Sequence, residues 1–144
     1  MSWSLGPVGR AQRARLERLT AATGVFRPEE VATAVELLDA SLDGDDDYRF
    51  LGAYEGDDLL GYACWGPTPG TVSTSDLYWI VVDPARQHQG VGTTLLGAVE
   101  ARLTADGCRL VVVETSSRAD YAPSDDLVIY LKDLVHGVLA RTTA

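Results

Sequence analysis

Long hydrophobic runs are missing from this sequence: no apolar stretch approaches the roughly 20 residues that a bilayer-spanning helix requires. The opening MSWSLGPVGRAQRAR has no apolar core ahead of its arginines, so no signal peptide is expected. The expected setting is cytoplasmic, with no membrane partner. Cysteine is scarce, with two in the chain. Cys64 lies in a strand-like run and Cys108 follows a glycine. Neither has metal or redox spacing, so both are expected as free core thiols and no metal site is expected. Positive charge is also short. Twelve Lys and Arg face 21 Asp and Glu, a net charge of −9. That argues against nucleic acid as a partner, because phosphate binding needs clustered basic side chains. The arginines at Arg10, Arg13, Arg15 and Arg18 do not gather on one narrow helical face, and a solvated helix is the better reading. The run Asp43-Gly44-Asp45-Asp46-Asp47 lacks the glutamate and the spacing of a calcium loop and reads as a solvated turn.

What is present is an ordinary globular composition, 46% hydrophobic and 23% charged over 144 residues, which suits one domain, residues 1–144, with its own core. A helix is expected from about Arg10 to Thr23, ended by Gly24. A second begins at Pro28, with Glu29 and Glu30 at its positive end. Its Val31, Ala34, Val35, Leu38 and Leu42 fall at the spacing of one buried face. The runs YRFLGAY and LLGYACW form a hairpin about Glu55-Gly56-Asp57-Asp58. DLYWIVV is apolar on both faces and belongs in the middle of a sheet. A helix follows with Val91, Leu95, Leu96, Val99 and Leu103 on one face and Gly107 after it. CRLVVVE is another central strand, so strand, helix and strand make a right-handed crossover between parallel strands. DLVIYLK is a last strand. The tail VHGVLARTTA is compatible with a helix or a frayed end. The class is α/β or α+β, with a mixed sheet and flanking helices.

The chemistry concentrates in VDPARQHQGVGTTLL, Val82 to Leu96, where two glycines stand between a strand and a helix. A dinucleotide fold is one reading, and Glu114 falls about where a ribose-binding acid belongs. Against it, Leu95 stands where the third glycine is required, seven residues separate the strand from Gly90, and an antiparallel hairpin precedes the unit. A nucleotide-triphosphate loop is excluded by the absence of Gly-Lys-Ser/Thr. The other reading is a different phosphate cradle, Gln87-His88-Gln89-Gly90-Val91-Gly92, with unpaired N–H groups at a helix N-terminus. A plain turn with close helix packing would also use two glycines. The full string, Val-x-Pro-x-x-Gln-x-x-Gly-x-Gly followed by a helix, is more specific than either.

That string, in Val82-Asp83-Pro84 and Gln87-x-x-Gly90-x-Gly92, resembles the acetyl-CoA motif of the GNAT superfamily of N-acetyltransferases. The order of elements from about Thr20 to Lys132 is similar as well. The resemblance implies a GNAT-like fold. It implies that backbone N–H groups of Gln87, His88, Gln89, Gly90, Val91, Gly92 and Thr93 hold the pyrophosphate of acetyl-CoA. It also implies that Ile80, Val81 and Val82 bond the pantetheine and the acetyl carbonyl through their backbones. The implied activity is acetyl transfer to a primary amine of a small molecule or peptide. Arg86 and His88 add local positive charge, while the acidic surface disfavours long-range attraction of CoA and suits an amine.

The pattern departs from the family after the fifth strand. Members usually continue with a helix and a further strand, and that helix carries the tyrosine that protonates the leaving thiolate. Here nine residues, Ser117 to Asp125, precede the final strand. Tyr121-Ala122-Pro123-Ser124-Asp125-Asp126 looks like two family phrases fused, so the C-terminal part is read as truncated. Tyr121 and Tyr130 are the tyrosines left to act as acid, against ordinary loop and core roles for both. Asp76 matches the position of a catalytic glutamate in some members and is the candidate base, acting through water, against a plain strand-end aspartate. Glu114 is a weaker candidate. A shortened sheet is expected to leave an unpaired edge, covered in a homodimer. Two alternatives stay open: a catalytically impaired CoA-binding or protein-interaction domain, and a dinucleotide binder.

Overall fold

The computed structural model describes residues 3–116, 127–133 and 139–143. A short strand, β1 (Ser4–Gly6), opens the chain and was not expected from the sequence. A single 3-10 turn at Arg10–Gln12 leads into α1 (Arg13–Ala22), so the first turn of the expected helix is wound tighter than α. Gly24 follows with φ +72°, a left-handed geometry that costs glycine little. Helix α2 (Pro28–Leu42) starts at the proline, and the Arg27 N–H donates to Glu30 Oε1 at 2.9 Å. Val31, Ala34, Val35 and Leu38 are buried, the face that their spacing marks out. The arginines of the first segment are not merely solvated. Arg10 pairs with Asp43 at 2.8 Å, and Arg13 grips both carboxylate oxygens of Asp39 at 2.8 and 2.9 Å, tying the first helical segment to α2.

The hairpin strands are β2 (Arg49–Glu55) and β3 (Asp58–Pro67), followed by β4 (Thr74–Val82), α3 (Val91–Ala105), β5 (Leu110–Ser116) and β6 (Leu127–Asp133). The tail supplies a strand, β7 (Leu139–Thr143), rather than a helix or a frayed end. It pairs antiparallel with β6, so the ladder supplies the backbone partners that an isolated tail would lack. All seven strands form one sheet in chain order, β1 to β7. The β4–β5 pair is parallel and the other pairs are antiparallel.

Helices cover both faces, which is why the central strands are apolar throughout. On one face Val91, Leu95, Val99 and Leu103 of α3 pack on Leu51, Ala53, Leu60, Ala63, Trp65, Leu77 and Val111. On the other, Leu16 and Leu19 of α1 and Val35 and Leu38 of α2 meet Leu59, Tyr62 and Val81. Strand β3 is buried along its length except at its ends. A bulge lies opposite Cys64 and Trp65. Cys64 pairs with Trp79 and Trp65 with Leu77, leaving Tyr78 as the extra residue. An extra residue reverses the facing of everything after it. Leu77 and Ile80 consequently pack on the α3 side, and Trp79 and Val81 on the side of α1 and α2.

Candidate active site

The parallel ladder between β4 and β5 is short. It runs from Thr74–Leu110 to Leu77–Val113 and stops there. Strand β4 continues to Val82 paired with β3 alone, and β5 continues to Ser116 paired with β6 alone. From Tyr78 to Val82 the side of β4 that faces β5 has no ladder partner among the described residues. An unpaired strand edge inside a sheet is a ready site for an extended ligand.

The loop between β4 and α3 sits at the end of that edge. Asp83 holds its start. Its N–H donates to the Leu60 carbonyl at 2.8 Å, and its carboxylate accepts from the Ala85 N–H at 3.0 Å. Arg15 of α1 donates to the other carboxylate oxygen at 2.9 Å and to the Leu59 carbonyl at 3.3 Å. Pro84–Arg86 make a 3-10 turn, and Arg86 pairs with Glu55 on β2. Its charge is thus met within the protein and adds less positive character than the sequence suggested. His88 takes φ +64°, a left-handed conformation that costs a residue with a Cβ about 1 kcal/mol. Gln87, His88, Gln89, Gly90 and Thr93 are exposed, and Val91 is buried in the α3 core.

Gly90 is the N-cap of α3, with φ +91°, and as a glycine it has no side chain with which to cap the first N–H groups. The first N–H groups of a helix have no partner within it, so this terminus presents donors and the positive end of the dipole. Gly92 is different in kind from Gly90. A Cβ placed on it would meet Val82 Cγ2 at 3.5 Å, an ordinary contact, so the fold would accept a side chain there. Clearance above the helix end is the remaining use for a glycine at this position. Trp3, just ahead of β1, lies beside Gly90, its ring 3.6 Å from where a Cβ would stand. Nothing in the sequence connects Trp3 with this loop.

These features fit a CoA-type ligand: an uncapped helix end for a diphosphate, a glycine clearing the approach, and a free strand edge beside it. The comparisons agree. The profile of the Acetyltransferase (GNAT) family matches residues 14–122. This chain belongs to the GNAT acetyltransferase family. A protein described as a GNAT-family acetyltransferase from Desulfovibrio desulfuricans shares 36% identity and has a TM-score of 0.83 over 92% of this chain and 99% of that one. The PaiA N-acetyltransferase of Thermoplasma acidophilum, solved with coenzyme A, has a TM-score of 0.67 at 16% identity, over 82% of each chain. A GNAT acetyltransferase of Brucella melitensis, solved with acetyl-CoA, has a TM-score of 0.65 at 22% identity, over 78% of this chain and 75% of that one. These last two likenesses speak for the fold. No curated protein matches the chain. Among the described residues, no helix is long and apolar enough to cross a membrane.

In this GNAT domain the sequence-derived residues fall into two groups. Ile80, Val81 and Val82 all lie on the unpaired part of β4, and Gln87 to Thr93 form the loop and first turn of α3. The structure brings these ten together. The candidates for proton transfer are more scattered. Asp76 is half-buried on β4, paired with Val112, one residue before the last β4–β5 pair. Tyr130 stands opposite Val113 on β6, level with the point where the ladder stops. Glu114 is the next residue of β5, beyond that point. Tyr121 lies outside the described residues. Tyr78 was not singled out from the sequence, because a bulge is a property of pairing. Its phenol is pushed above the ordinary tyrosine range by burial first, then by the charges of Asp76 and, more weakly, Asp47 among its neighbours.

Proposed function

We propose that this GNAT domain is an acetyl-CoA-dependent N-acetyltransferase that acts on a primary amine of a small molecule or peptide by direct attack. The observation that carries the reading is the free edge of β4 from Tyr78 to Val82, lying beside the uncapped N-terminus of α3. Coenzyme A and acetyl-CoA, present in the Thermoplasma and Brucella relatives, support the choice of co-substrate. Backbone N–H groups from Gln87 to Thr93 hold the pyrophosphate. The backbones of Ile80, Val81 and Val82 hold the pantetheine and the carbonyl oxygen, where an oriented N–H stabilises developing negative charge. Acetyl-CoA supplies the acetyl group as a thioester. The amine nitrogen forms the new C–N bond as the C–S bond breaks. Asp76 takes the proton from nitrogen through water, and the leaving thiolate takes one from an acid for which Tyr121 and Tyr130 are the candidates.

A second reading rests on one observation. Strand β6 pairs directly with β5, and only residues 117–126 connect them, where the family pattern has a helix and a strand. That favours a CoA-binding or protein-interaction domain with impaired catalysis. Calorimetric titration with acetyl-CoA, with NAD as control, is the first test, followed by a screen of amines. Micromolar acetyl-CoA binding that disappears in Gly92→Glu, with the fold kept, is the expected result, because a carboxylate at the helix end repels the pyrophosphate. NAD binding, or no binding of either ligand, would overturn the reading. Binding without transfer to any amine would select the impaired domain.

A further inference from the structure

We propose that the acceptor is a cationic amine with an aromatic body, received by Trp79, Phe26, Tyr78 and Tyr48 with Asp76 and Asp47 beside them, on the face of the sheet opposite the CoA cradle. The inference rests on the acetyltransferase reading above. It starts from the two faces of β4. Gly92 stands against Val82, whose side chain packs with the α3 core, so the cradle belongs to that face. The opposite face is open to a second substrate only beyond the ground that α1 and α2 cover.

The margin of that ground is aromatic. Phe26, in the connection between α1 and α2, stacks on Trp79 with ring centres 6.1 Å apart and planes 25° apart. Tyr48, just before β2, leans on Tyr78 with centres 5.9 Å apart. All four rings are half-buried, so each keeps surface for a ligand. The bulge is what makes Tyr78 and Trp79 neighbours at this place. It is also where the unpaired edge of β4 begins, since Leu77 is the last residue bonded to β5. A molecule lying on these rings therefore borders the edge proposed to hold the thioester, from the side that the cradle leaves free.

Two carboxylates, Asp76 and Asp47, act on Tyr78, and the arginines near the rings are paired elsewhere. Asp76 pairs with Gly66 across the sheet, and the Asp47 backbone carbonyl and the Tyr78 ring lie over Gly66, which brings the Asp47 side chain near Tyr78, where its charge acts more weakly than that of Asp76. Arg27 follows Phe26, but it pairs with Glu29 and Glu30, at 3.4 Å each. Arg49 pairs with Asp106 at 3.2 Å. Aromatic faces attract an ammonium group, and carboxylates nearby add to the attraction. A substrate carrying a carboxylate next to its amine would be repelled by Asp76 and Asp47.

Steady-state transfer separates the possibilities, using 2-phenylethylamine, n-propylamine and phenylalanine as acceptors. The expected kcat/KM for 2-phenylethylamine exceeds both others by about tenfold, because n-propylamine has no ring to stack on the aromatic group and phenylalanine brings a carboxylate to the acidic side. Trp79→Leu and Asp47→Asn should each raise its KM, Trp79→Leu by about tenfold, with a smaller change in kcat and an unchanged KM for acetyl-CoA. Tyr48→Ala, at the rim of the group, keeps the test open if loss of the Phe26 stack unfolds Trp79→Leu. Equal rates across the three amines, no transfer to 2-phenylethylamine by a protein that binds acetyl-CoA, a preference for phenylalanine, or variants that lower kcat and leave KM alone would overturn the inference. Absence of acetyl-CoA binding by calorimetry would instead sink the acetyltransferase reading, so the two failures are distinguishable.

Discussion

Gly92 and Cys64 show how differently single residues are constrained here. Gly92 sits in the first turn of α3, where alanine would favour the helix by roughly 0.5–1 kcal/mol. Packing leaves room for that alanine, so the glycine is retained at a cost to the helix. Cys64 is constrained by packing alone. It is buried within β3, and burial pushes its thiol up to about 12. The native state therefore holds the thiol proton where an unfolded thiol, near 8.5, releases it. The stabilising contribution is fully present below about pH 8.5 and is lost as pH rises toward 12. Two results are expected. At pH 8 a thiol reagent modifies the native protein at Cys108 only, with Cys64 reacting after unfolding. Stability measured by urea falls as the pH is raised above 9. Rapid modification of both thiols in the native state would contradict this account.

At the scale of an element, α3 serves both the core and the site. Its buried row, Val91, Leu95, Val99 and Leu103, fixes the height and direction of the helix end. Leu95 is fully buried at the centre of that row. Leu95→Ala is expected to cost about 2–5 kcal/mol, a large share of a domain's stability of roughly 5–15 kcal/mol. The urea midpoint would report it, and acetyl-CoA affinity should fall along with it because the cradle rides on this helix. A change below about 0.5 kcal/mol would mean that the helix is not what holds the cradle. The row was readable from the spacing of the apolar residues. So were the hairpin, the central strands and the parallel crossover. Strand β1 and strand β7 were not readable. Three and five residues carry too little period to distinguish a strand, and both are strands because a sheet edge was there to bond them.

At the scale of the molecule, the described residues form a seven-stranded sheet that opens between β4 and β5 beyond Leu77 and Val113. The shortened segment after β5 does not leave β6 as the last strand, since β7 pairs along it. Among the described residues the outer edge is therefore that of β7, one strand further out than expected. A homodimer built on that outer edge is proposed on the same physical ground as before, that an unpaired strand invites pairing. Light scattering at micromolar concentration should give twice the chain mass. A monomer there would remove the proposal.

The sequence by itself determined the class of fold, the cradle string from Val82 to Gly92, and the family to which that string leads. These are local matters: periodicity, glycine placement and a strand running into a helix all lie within a few residues of one another. Tertiary structure decided the rest. The bulge that turns Trp79 away from Leu77, the point where β4 and β5 part, the link from Arg15 to Asp83 and the place of Trp3 beside Gly90 each join segments far apart in the chain. Their geometry depends on which strands pair and in what register. No local pattern encodes that, because register is settled only when all the faces are buried together.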